Sequence, residues 1–439
     1  MTISEVTLWG TTVGAVALND GDAIATFQFA PEFIDSGIQI SPIVMPLSGQ
    51  VYYFPELPIQ SFHGLPGLLA DSLPDRYGNA LIDAWLASQG RDSASFNAVE
   101  RLCYTGARGM GALEFRPSTG PHASADEAIK IDALVKLASE VLTQRDGLHT
   151  SFGEGHEPDA LRQILRVGTS AGGARAKAVI AWNPVTHEVR SGQARAGEGF
   201  QYWLLKFDGV EGNKDKELAD PKGYGAVEYA YSEMAKAAGI TMTECRLLEE
   251  GGRRHFMTRR FDRLDGGEKL HMQSLAALGH LDFNDPMANS YEQAFLLMRR
   301  LGLSMQELEQ FFRRIAFNVI ARNHDDHVKN VAFLMDRAGA WRLAPAFDLT
   351  WAYNPTGAWT NQHQMSINGK RNDFEIDDLV RCAEAGTIKP RRSRVIIEEV
   401  WAAVSQWPDF ASRANVTGEW RRAVGATLRL DLRKGLAGS

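Results

Sequence analysis

The feature that most constrains this chain is an amphipathic segment that leads directly into a cluster of polar and charged residues. Within residues 304–323, apolar side chains recur with the period of an α-helix, which predicts a helix with one buried face. The residues of that face are Leu308, Phe311, Phe312, Ile315 and Val319. The cluster that follows is Asn323–Asn330, with the sequence NHDDHVKN. Dense charge at the end of a buried helix indicates either a functional loop or a helix end whose polar residues are solvated.

The spacing of two residues in this cluster favours a functional loop. Asp325 and Asn330 are separated by four residues. In protein kinases, an Asp at this spacing accepts or orients the proton of the substrate hydroxyl, and the Asn binds Mg²⁺. Four intervening residues suit a loop that folds back around one metal ion. The pattern therefore predicts phosphoryl transfer, with Asp325 and Asn330 in catalytic roles.

A second carboxylate, Asp348, follows an apolar run that is typical of a strand. It stands between Phe347 and Leu349, and a carboxylate is costly to bury unless it is paired or bound to a metal. Magnesium prefers carboxylate and amide oxygens, so Asp348 and Asn330 are predicted to bind Mg²⁺ together. The alternative is that Asp348 lies in a turn and caps the next helix.

A lysine near the end of a predicted strand supplies a candidate for phosphate binding. Lys206 ends the apolar run YWLLK, and a lysine that points from a strand into a cleft can contact the α- and β-phosphates of ATP. Such a lysine needs an acidic partner. Glu228, near the start of the next predicted helix, is the natural partner, and Glu233 is the alternative.

A glycine-rich stretch precedes this strand, with the sequence GTSAGGARAK. It is not a Walker A loop, because Ala174 stands where that motif requires a lysine. Its glycines still allow backbone N–H groups to approach phosphate oxygens, and its basic residues supply positive charge. The alternative is a flexible hairpin loop. The nucleotide-binding candidates of this loop are Gly168, Ser170, Gly172, Gly173 and Lys177.

The run HFMTRRFDR is predicted to connect two lobes, with backbone groups near Arg259 and Phe261 at the adenine edge of ATP. The order of features along the chain is then glycine loop, strand lysine, helix glutamate, hinge, D-x-x-x-x-N and a further Asp. That order is the linear plan of a bilobal kinase. The predicted fold is therefore α+β and protein-kinase-like, with a mixed β-rich N-lobe and a helical C-lobe.

The 439 residues are too many for one ordinary domain, and a linker candidate rich in Pro, Gly and Ser lies at residues 117–128. The predicted units are an N-terminal α+β subdomain over residues 1–120, a kinase N-lobe with the glycine loop over residues 121–260, and a helical C-lobe over residues 261–439.

Within the first unit, short strands are predicted over residues 1–55 and a helix from Pro74. Asp71 and Ser72 are predicted to cap that helix.

The charge and cysteine content exclude several classes of protein. A net charge of −7 argues against a protein that coats nucleic acid by bulk charge, although the basic runs Arg253–Arg263 and Lys389–Arg394 could form local patches. The three cysteines are far apart in the sequence, so neither a disulfide framework nor a zinc site is expected. This cysteine content predicts a cytoplasmic protein. No membrane span or signal peptide is expected.

Nearly the whole sequence resembles the HipA family of serine/threonine kinases, the toxins of bacterial type II toxin–antitoxin pairs. The most specific match is N-x-D-x-H-x-K-N, within Asn323–Asn330. The other segments that carry the resemblance are DSLPDRYG (residues 71–78), GMGALEF (109–115), SAGGARAK (170–177) and RRFDR (259–263).

The resemblance implies a role for each matched residue. Asp325 would be the catalytic base, Asn330 and Asp348 would bind Mg²⁺, and Lys206 would bind ATP. His327 and Lys329 would also lie at the ATP site. Ser170 would be the loop serine at which such kinases phosphorylate and inactivate themselves.

The resemblance also implies partners. A small HipB-like helix-turn-helix antitoxin would bind the chain, which would then contact DNA only indirectly through that antitoxin. The family's known substrates are aminoacyl-tRNA synthetases, so a translation-related protein is the expected target.

Two departures from the family pattern concern nucleotide contacts. The family often has A-Q-[DE]-K where this chain has Ala174–Lys177, and it often has E-R-F-D-R where this chain begins with Arg259. Two other functions stay open. One is a co-repressor that bridges DNA-bound antitoxin with weak or no kinase activity, which the basic runs suggest. The other is a small-molecule kinase.

Overall fold

The computed structural model of the chain contains three larger antiparallel sheets and a predominantly helical C-terminal part. The residues that the structure describes are 1–120, 129, 131–143, 164–165, 168, 175–193, 195–210, 214–215, 218–219, 222–264 and 266–435. In this part of the chain, no helix combines the length and apolar composition that crossing a membrane requires.

The first sheet is built from the N-terminal residues, as the alternating β-rich runs of the sequence predict. Its strands are β1 (Thr2–Leu8), β2 (Thr11–Leu18), β3 (Thr26–Phe29), β4 (Val51–Tyr52) and β5 (Leu113–Arg116). They are ordered β4-β3-β2-β1-β5, with Val6 opposite Phe115. The helices around this sheet are α1 (Pro31–Asp35), α2 (Ile59–Phe62), α3 (Gly67–Ala70), α4 (Arg76–Ser88) and α5 (Ala98–Thr105).

Helix α4 begins later than its predicted caps. Asp75 is the N-cap, and its carboxylate accepts hydrogen bonds from the backbone N–H groups of Tyr77 and Gly78 at 3.0 and 3.1 Å. The prediction that Asp71 caps this helix was wrong. Asp71 instead accepts hydrogen bonds from the backbone N–H and the hydroxyl of Ser274, at 2.6 and 2.7 Å.

A second sheet and its helices occupy the middle of the chain. In chain order the elements are α6 (Ile131–Thr143), β6 (Lys177–Trp182), β7 (Val189–Ser191), β8 (Gln201–Lys206), β9 (Lys214–Asp215), β10 (Leu218–Ala219), α7 (Tyr224–Ala237), β11 (Cys245–Glu250) and β12 (Arg253–Arg259). The five-stranded sheet has the order β11-β12-β8-β6-β7, and β9 pairs with β10. One apolar core lies under this sheet and includes Tyr77 and Leu81 of α4 beside Leu134 and Trp203.

The C-terminal part is mostly helical. Its elements are β13 (His271–Ser274), α8 (Leu275–Gly279), α9 (Tyr291–Arg300), α10 (Met305–Ile320), β14 (Ala332–Met335), β15 (Trp341–Leu343), α11 (Ile376–Ala385), α12 (Pro390–Val404), α13 (Trp407–Arg413) and α14 (Gly418–Gly425). The amphipathic segment predicted from the sequence is α10, which begins with a capping box between Ser304 and Glu307. Phe312 and Ile315 of α10 are fully buried in the largest apolar core, which also contains α7.

The predicted hinge run is fixed to the segment that precedes β5 by a buried cluster of charges. Asp262 is fully buried and accepts two hydrogen bonds from the Arg260 guanidinium, at 2.9 and 2.6 Å, and one from Arg263 at 2.7 Å. It also accepts a hydrogen bond from the backbone N–H of Gly111 at 2.7 Å. Burial raises the pKa of Asp262, but the charges of Arg260 and Arg263 outweigh burial and hold that pKa far below its ordinary value.

We expect Asp262→Asn to lower the free energy of unfolding at neutral pH by about 3–5 kcal/mol, because it leaves buried arginines without their counter-charge. A folded-state pKa below the unfolded value of about 3.9 adds stability that is complete above about pH 4 and is lost progressively as the pH falls from there to the folded-state pKa. The difference in free energy of unfolding between wild type and variant should therefore decrease below about pH 4. Urea unfolding over a pH series measures this difference, and a difference that does not depend on pH would contradict this account.

Candidate active site

The centre of the candidate site is a lysine held between two carboxylates. Lys206 ends β8, and its ammonium group is hydrogen-bonded to both Glu228 of α7 and Asp348. Glu228 is the partner that the sequence favours. The alternative, Glu233, is paired with Lys236 at 3.0 Å. Three segments that are distant in sequence thus meet at one ammonium group.

The exposure of these side chains increases from Glu228 to Asp348, so the trio extends from the core towards the surface. Glu228 is 2% exposed, Lys206 12% and Asp348 29%. Burial lowers the pKa of Lys206, but Asp348 and Glu228 outweigh burial and raise it, so the lysine is charged. Burial would raise the pKa of Asp348, yet Lys206 and Lys177 together lower it. At neutral pH the site therefore holds a cation next to an anion.

The loop after α10 folds back on itself. The side-chain N–H of Asn330 donates to the backbone carbonyl of Asp325 at 2.8 Å, and the backbone N–H of Asn330 donates to the carbonyl of His327 at 2.8 Å. The carboxylate of Asp325 is 29% exposed and accepts a hydrogen bond from the indole of Trp359 at 2.9 Å. The D-x-x-x-x-N spacing predicts a turn, and the hydrogen bond from the Asn330 side chain to the Asp325 carbonyl connects the two ends of that turn.

The next residue, Asp326, is fully buried beneath this loop. Its carboxylate accepts hydrogen bonds from the hydroxyl of Tyr291 at 2.6 Å and from the backbone N–H of Gln364 at 2.7 Å. It also contacts Nδ1 of His363 at 2.7 Å. Burial raises the pKa of Asp326, but His363 and these donors outweigh burial and lower it. Asp326 is therefore an anchor for the loop, whereas Asp325 is presented to the cleft.

The donor set at this site fits Mg²⁺. Asp348 offers a partly exposed carboxylate, and Asn330 uses its amide nitrogen in the hydrogen bond to Asp325, so its amide oxygen is the atom that would hold a metal ion. Carboxylate and amide oxygens are the ligands that Mg²⁺ prefers. Asp348 has a positive φ of 52°, the left-handed region that carboxylate and amide residues tolerate better than other residues. In the described residues, no group of three or more His, Cys, Asp or Glu side chains is arranged to hold a metal ion.

A second lysine lies beside this centre. Lys177 begins β6 and pairs across the sheet with Lys206. Its side chain is 2% exposed and lies 3.4 Å from the carboxylate of Asp75, the N-cap of α4. The N-terminal DSLPDRYG segment therefore supplies a carboxyl group that pairs with the lysine beside Lys206, and burial raises the pKa of this carboxyl group.

The structure describes only part of the glycine loop. Ser170, Gly172 and Gly173 lie outside the described residues. A Cβ on Gly168 would lie 2.7 Å from the end of the Leu81 side chain, so a larger residue there would require Leu81 of α4 to shift. At the other end of the loop, the Arg175 guanidinium lies 4.1 Å from the Tyr224 ring centroid.

The remaining nucleotide candidates make contacts with other parts of the chain. The backbone N–H of Arg259 donates to the carbonyl of Glu244 at 2.8 Å and is therefore used within the protein. The Phe261 ring lies 5.7 Å from that of Phe347, next to Asp348. His327 lies 3.8 Å from the Asp325 carboxylate.

Lys329, which is expected at the ATP site, contacts an aromatic ring. Its ammonium group lies 4.3 Å from the ring centroid of Phe283, a cation–π contact. Any contact that this lysine makes with ATP would have to compete with that ring.

Two residues of the site were missed from the sequence. Trp359 is 34 positions from Asp325, in a loop without periodicity, and no sequence signal links them. Asp75 lies only four positions from the predicted cap Asp71, and its residue type was the signal that could have identified it, since Asp is a preferred N-cap residue.

The basic runs are largely engaged within the fold. The contacts are Arg253 with the backbone oxygens of Asp208 and Gly209, Arg260 and Arg263 with Asp262, Arg392 with Glu309, and Arg394 with Asp377. These pairings favour a structural interpretation of both runs over a nucleic-acid patch.

Comparisons with known proteins agree with this organisation. The family model described as HipA N-terminal domain matches residues 4–116, and that described as HipA-like C-terminal domain matches residues 169–407. A search of curated proteins found no match.

Two solved structures were compared with the chain. The first is the complex of HipA, HipB and operator DNA from a toxin–antitoxin system of Shewanella oneidensis MR-1, with 15% identity, a TM-score of 0.61 and coverage of 99% of this chain and 95% of that chain. The second is the proinflammatory kinase CtkA of Helicobacter pylori, with 10% identity, a TM-score of 0.30 and coverage of 51% and 92%. The first similarity concerns the fold, and it confirms the predicted α+β, kinase-like arrangement with an N-terminal α+β unit.

Proposed function

Since the chain belongs to the HipA family, we propose that it is an ATP-dependent serine/threonine protein kinase that acts as the toxin of a toxin–antitoxin pair. The single observation that carries the proposal is the ion-paired trio of Lys206, Glu228 and Asp348 beside the Asp325–Asn330 loop. Kinases require a strand lysine paired with a helix glutamate, next to a metal-binding Asp.

In this proposal each residue has a role that follows from its contacts. Asp325, partly exposed and held by Trp359, accepts or orients the proton of the substrate hydroxyl. Lys206, kept charged by its two carboxylates, binds phosphate oxygens of ATP. Glu228 is buried and holds the lysine in place.

Asn330 and Asp348 would bind Mg²⁺, which supplies charge neutralisation to the phosphates when it is bound. Lys177, restrained by Asp75, is a second cation on the adjacent strand and is proposed to contact ATP. We propose further ATP-site residues in three segments. They are Gly168, Ser170, Gly172 and Gly173 of the glycine loop, Arg259 and Phe261 of the predicted hinge, and His327 and Lys329 of the loop after α10.

We expect the purified protein, given γ-labelled ATP and Mg²⁺, to label itself at Ser170, because this serine belongs to the loop proposed to hold ATP. A phosphate there adds nearly two negative charges, which would repel nucleotide phosphates. The measurement is label incorporation with peptide mapping. Ser170→Ala should remove the label at that position and prolong activity towards other proteins. Label in neither the protein nor a cell extract would contradict kinase activity, and label on a metabolite panel alone would favour a small-molecule kinase.

The proposed partner is a HipB-like helix-turn-helix antitoxin, and the proposed target is a translation-related protein such as an aminoacyl-tRNA synthetase. The complex from Shewanella oneidensis MR-1 supports the antitoxin, because the HipA in it has this fold and is bound to HipB and operator DNA. Phosphoproteomics after expression would identify the target. The pairing of Arg392 and Arg394 within the fold counts against the co-repressor alternative.

A further inference from the structure

The loop that follows Asp348 contacts both consecutive aspartates of the catalytic loop. The indole N–H of Trp359 donates to Oδ1 of Asp325 at 2.9 Å, and the backbone N–H of Gln364 donates to Oδ1 of Asp326 at 2.7 Å. Residues 359–364 therefore contact the exposed carboxylate through the Trp359 side chain, and the buried carboxylate through a backbone N–H and the His363 side chain.

The same loop holds Trp359 in place. The side-chain amide of Gln364 donates to the backbone carbonyl of Trp359 at 2.6 Å and to that of Gln362 at 3.0 Å. His363 is almost fully buried and lies 2.7 Å from Asp326, so the C-terminal end of this short loop is anchored below the site. The indole is thus mounted on a segment that is fixed to the core and is not a surface side chain that reached Asp325 by chance.

We propose that Trp359 is a positioning residue that holds the Asp325 carboxylate in the orientation needed to meet a substrate hydroxyl. A hydrogen bond to one carboxylate oxygen restricts rotation of the group, and orientation of a catalytic group is a large part of phosphoryl-transfer catalysis. The inference rests on the proposed kinase function, and it assigns to the loop after Asp348 a direct influence on the catalytic base.

The first test separates the maximum rate from ATP binding. Self-labelling is measured against ATP concentration for wild type and Trp359→Phe, which keeps an aromatic ring but removes the N–H donor. We expect the maximum rate to fall about 10- to 100-fold, the range for losing a hydrogen bond to a charged group, with an unchanged half-saturating ATP concentration.

A matched control is available in the same chain. The indole of Trp401, in α12, donates to the backbone carbonyl of Leu430 at 2.9 Å, so Trp401→Phe removes an equivalent hydrogen bond away from the site. We expect Trp401→Phe to leave the maximum rate within about twofold of wild type, because one neutral hydrogen bond contributes only modestly to stability. An equal loss of rate in both variants, or no loss in Trp359→Phe, would overturn the proposal.

The second test does not depend on activity. The indole ¹H–¹⁵N resonance of Trp359 is assigned by its absence from the Trp359→Phe spectrum, and Asp325→Ala should then shift it while the Trp401 resonance stays in place. An unmoved Trp359 resonance would show that the contact is absent in solution and would overturn the proposal. Absence of self-labelling in wild type, together with a shifted resonance, would instead reject the kinase function and leave the contact itself established.

Discussion

Asp325→Asn is expected to reduce phosphoryl transfer by on the order of 10²–10⁴-fold while leaving the melting temperature unchanged. The variant keeps the size of the side chain and its ability to accept the Trp359 N–H, but it cannot take the proton of a substrate hydroxyl. The carboxylate lies at the cleft surface and is 29% exposed, so its loss creates no cavity in the core. Label transfer at saturating ATP and thermal unfolding are the two measurements.

The adjacent residue provides the control for this variant. Asp326 is fully buried and accepts hydrogen bonds from Tyr291 and Gln364, so Asp326→Ala should lower the free energy of unfolding by about 3 kcal/mol. Substitution of Asp325 should thus lower the rate of phosphoryl transfer without lowering stability, whereas substitution of Asp326 should lower the free energy of unfolding. A collapse of melting temperature in Asp325→Asn would mean that Asp325 is structural.

Lys206→Met is expected to have the largest combined effect. It removes the cation between Glu228 and Asp348, and breaking a buried ion pair costs about 3–5 kcal/mol of stability. Transfer should also fall by at least 10²-fold, because a preorganised charge that stabilises phosphate oxygens is lost. Urea unfolding and label transfer at several ATP concentrations measure the two effects separately.

Lys236→Met is the matched control, since Lys236 pairs with Glu233 on the same helix at 3.0 Å but is 32% exposed. An exposed pair of this kind contributes about 0–1 kcal/mol, so its loss should change neither stability nor transfer appreciably. Comparable effects of the two substitutions would contradict the central role given to Lys206.

Local periodicity and motif spacing predicted much of the fold and the core of the site. Helix α10 follows from the repeat of Leu308, Phe311 and Ile315, and the loop after it follows from the spacing of Asp325 and Asn330. These features depend on residues close in sequence, where the period of a helix or the length of a turn determines what can meet.

Contacts between distant segments could not be predicted in this way. Trp359 reaches Asp325, and Lys329 lies over Phe283, through loops whose paths depend on tertiary packing. The basic runs show the same limit. Arg392 lies 83 positions from its partner Glu309, so a count of charges along the sequence cannot distinguish a paired arginine from an exposed patch.

Helix α4 lies in the segment that the sequence assigns to the first unit, yet it packs in the core beneath the second sheet. Tyr77 and Leu81 contact the same apolar cluster as Leu134 and Trp203, and Asp75 at the start of α4 faces Lys177. A fragment that begins after residue 120 would therefore expose apolar surface and lose the carboxyl partner of Lys177. A chimera that exchanges N-terminal segments between family members should fold only when α4 and the second sheet come from the same family member.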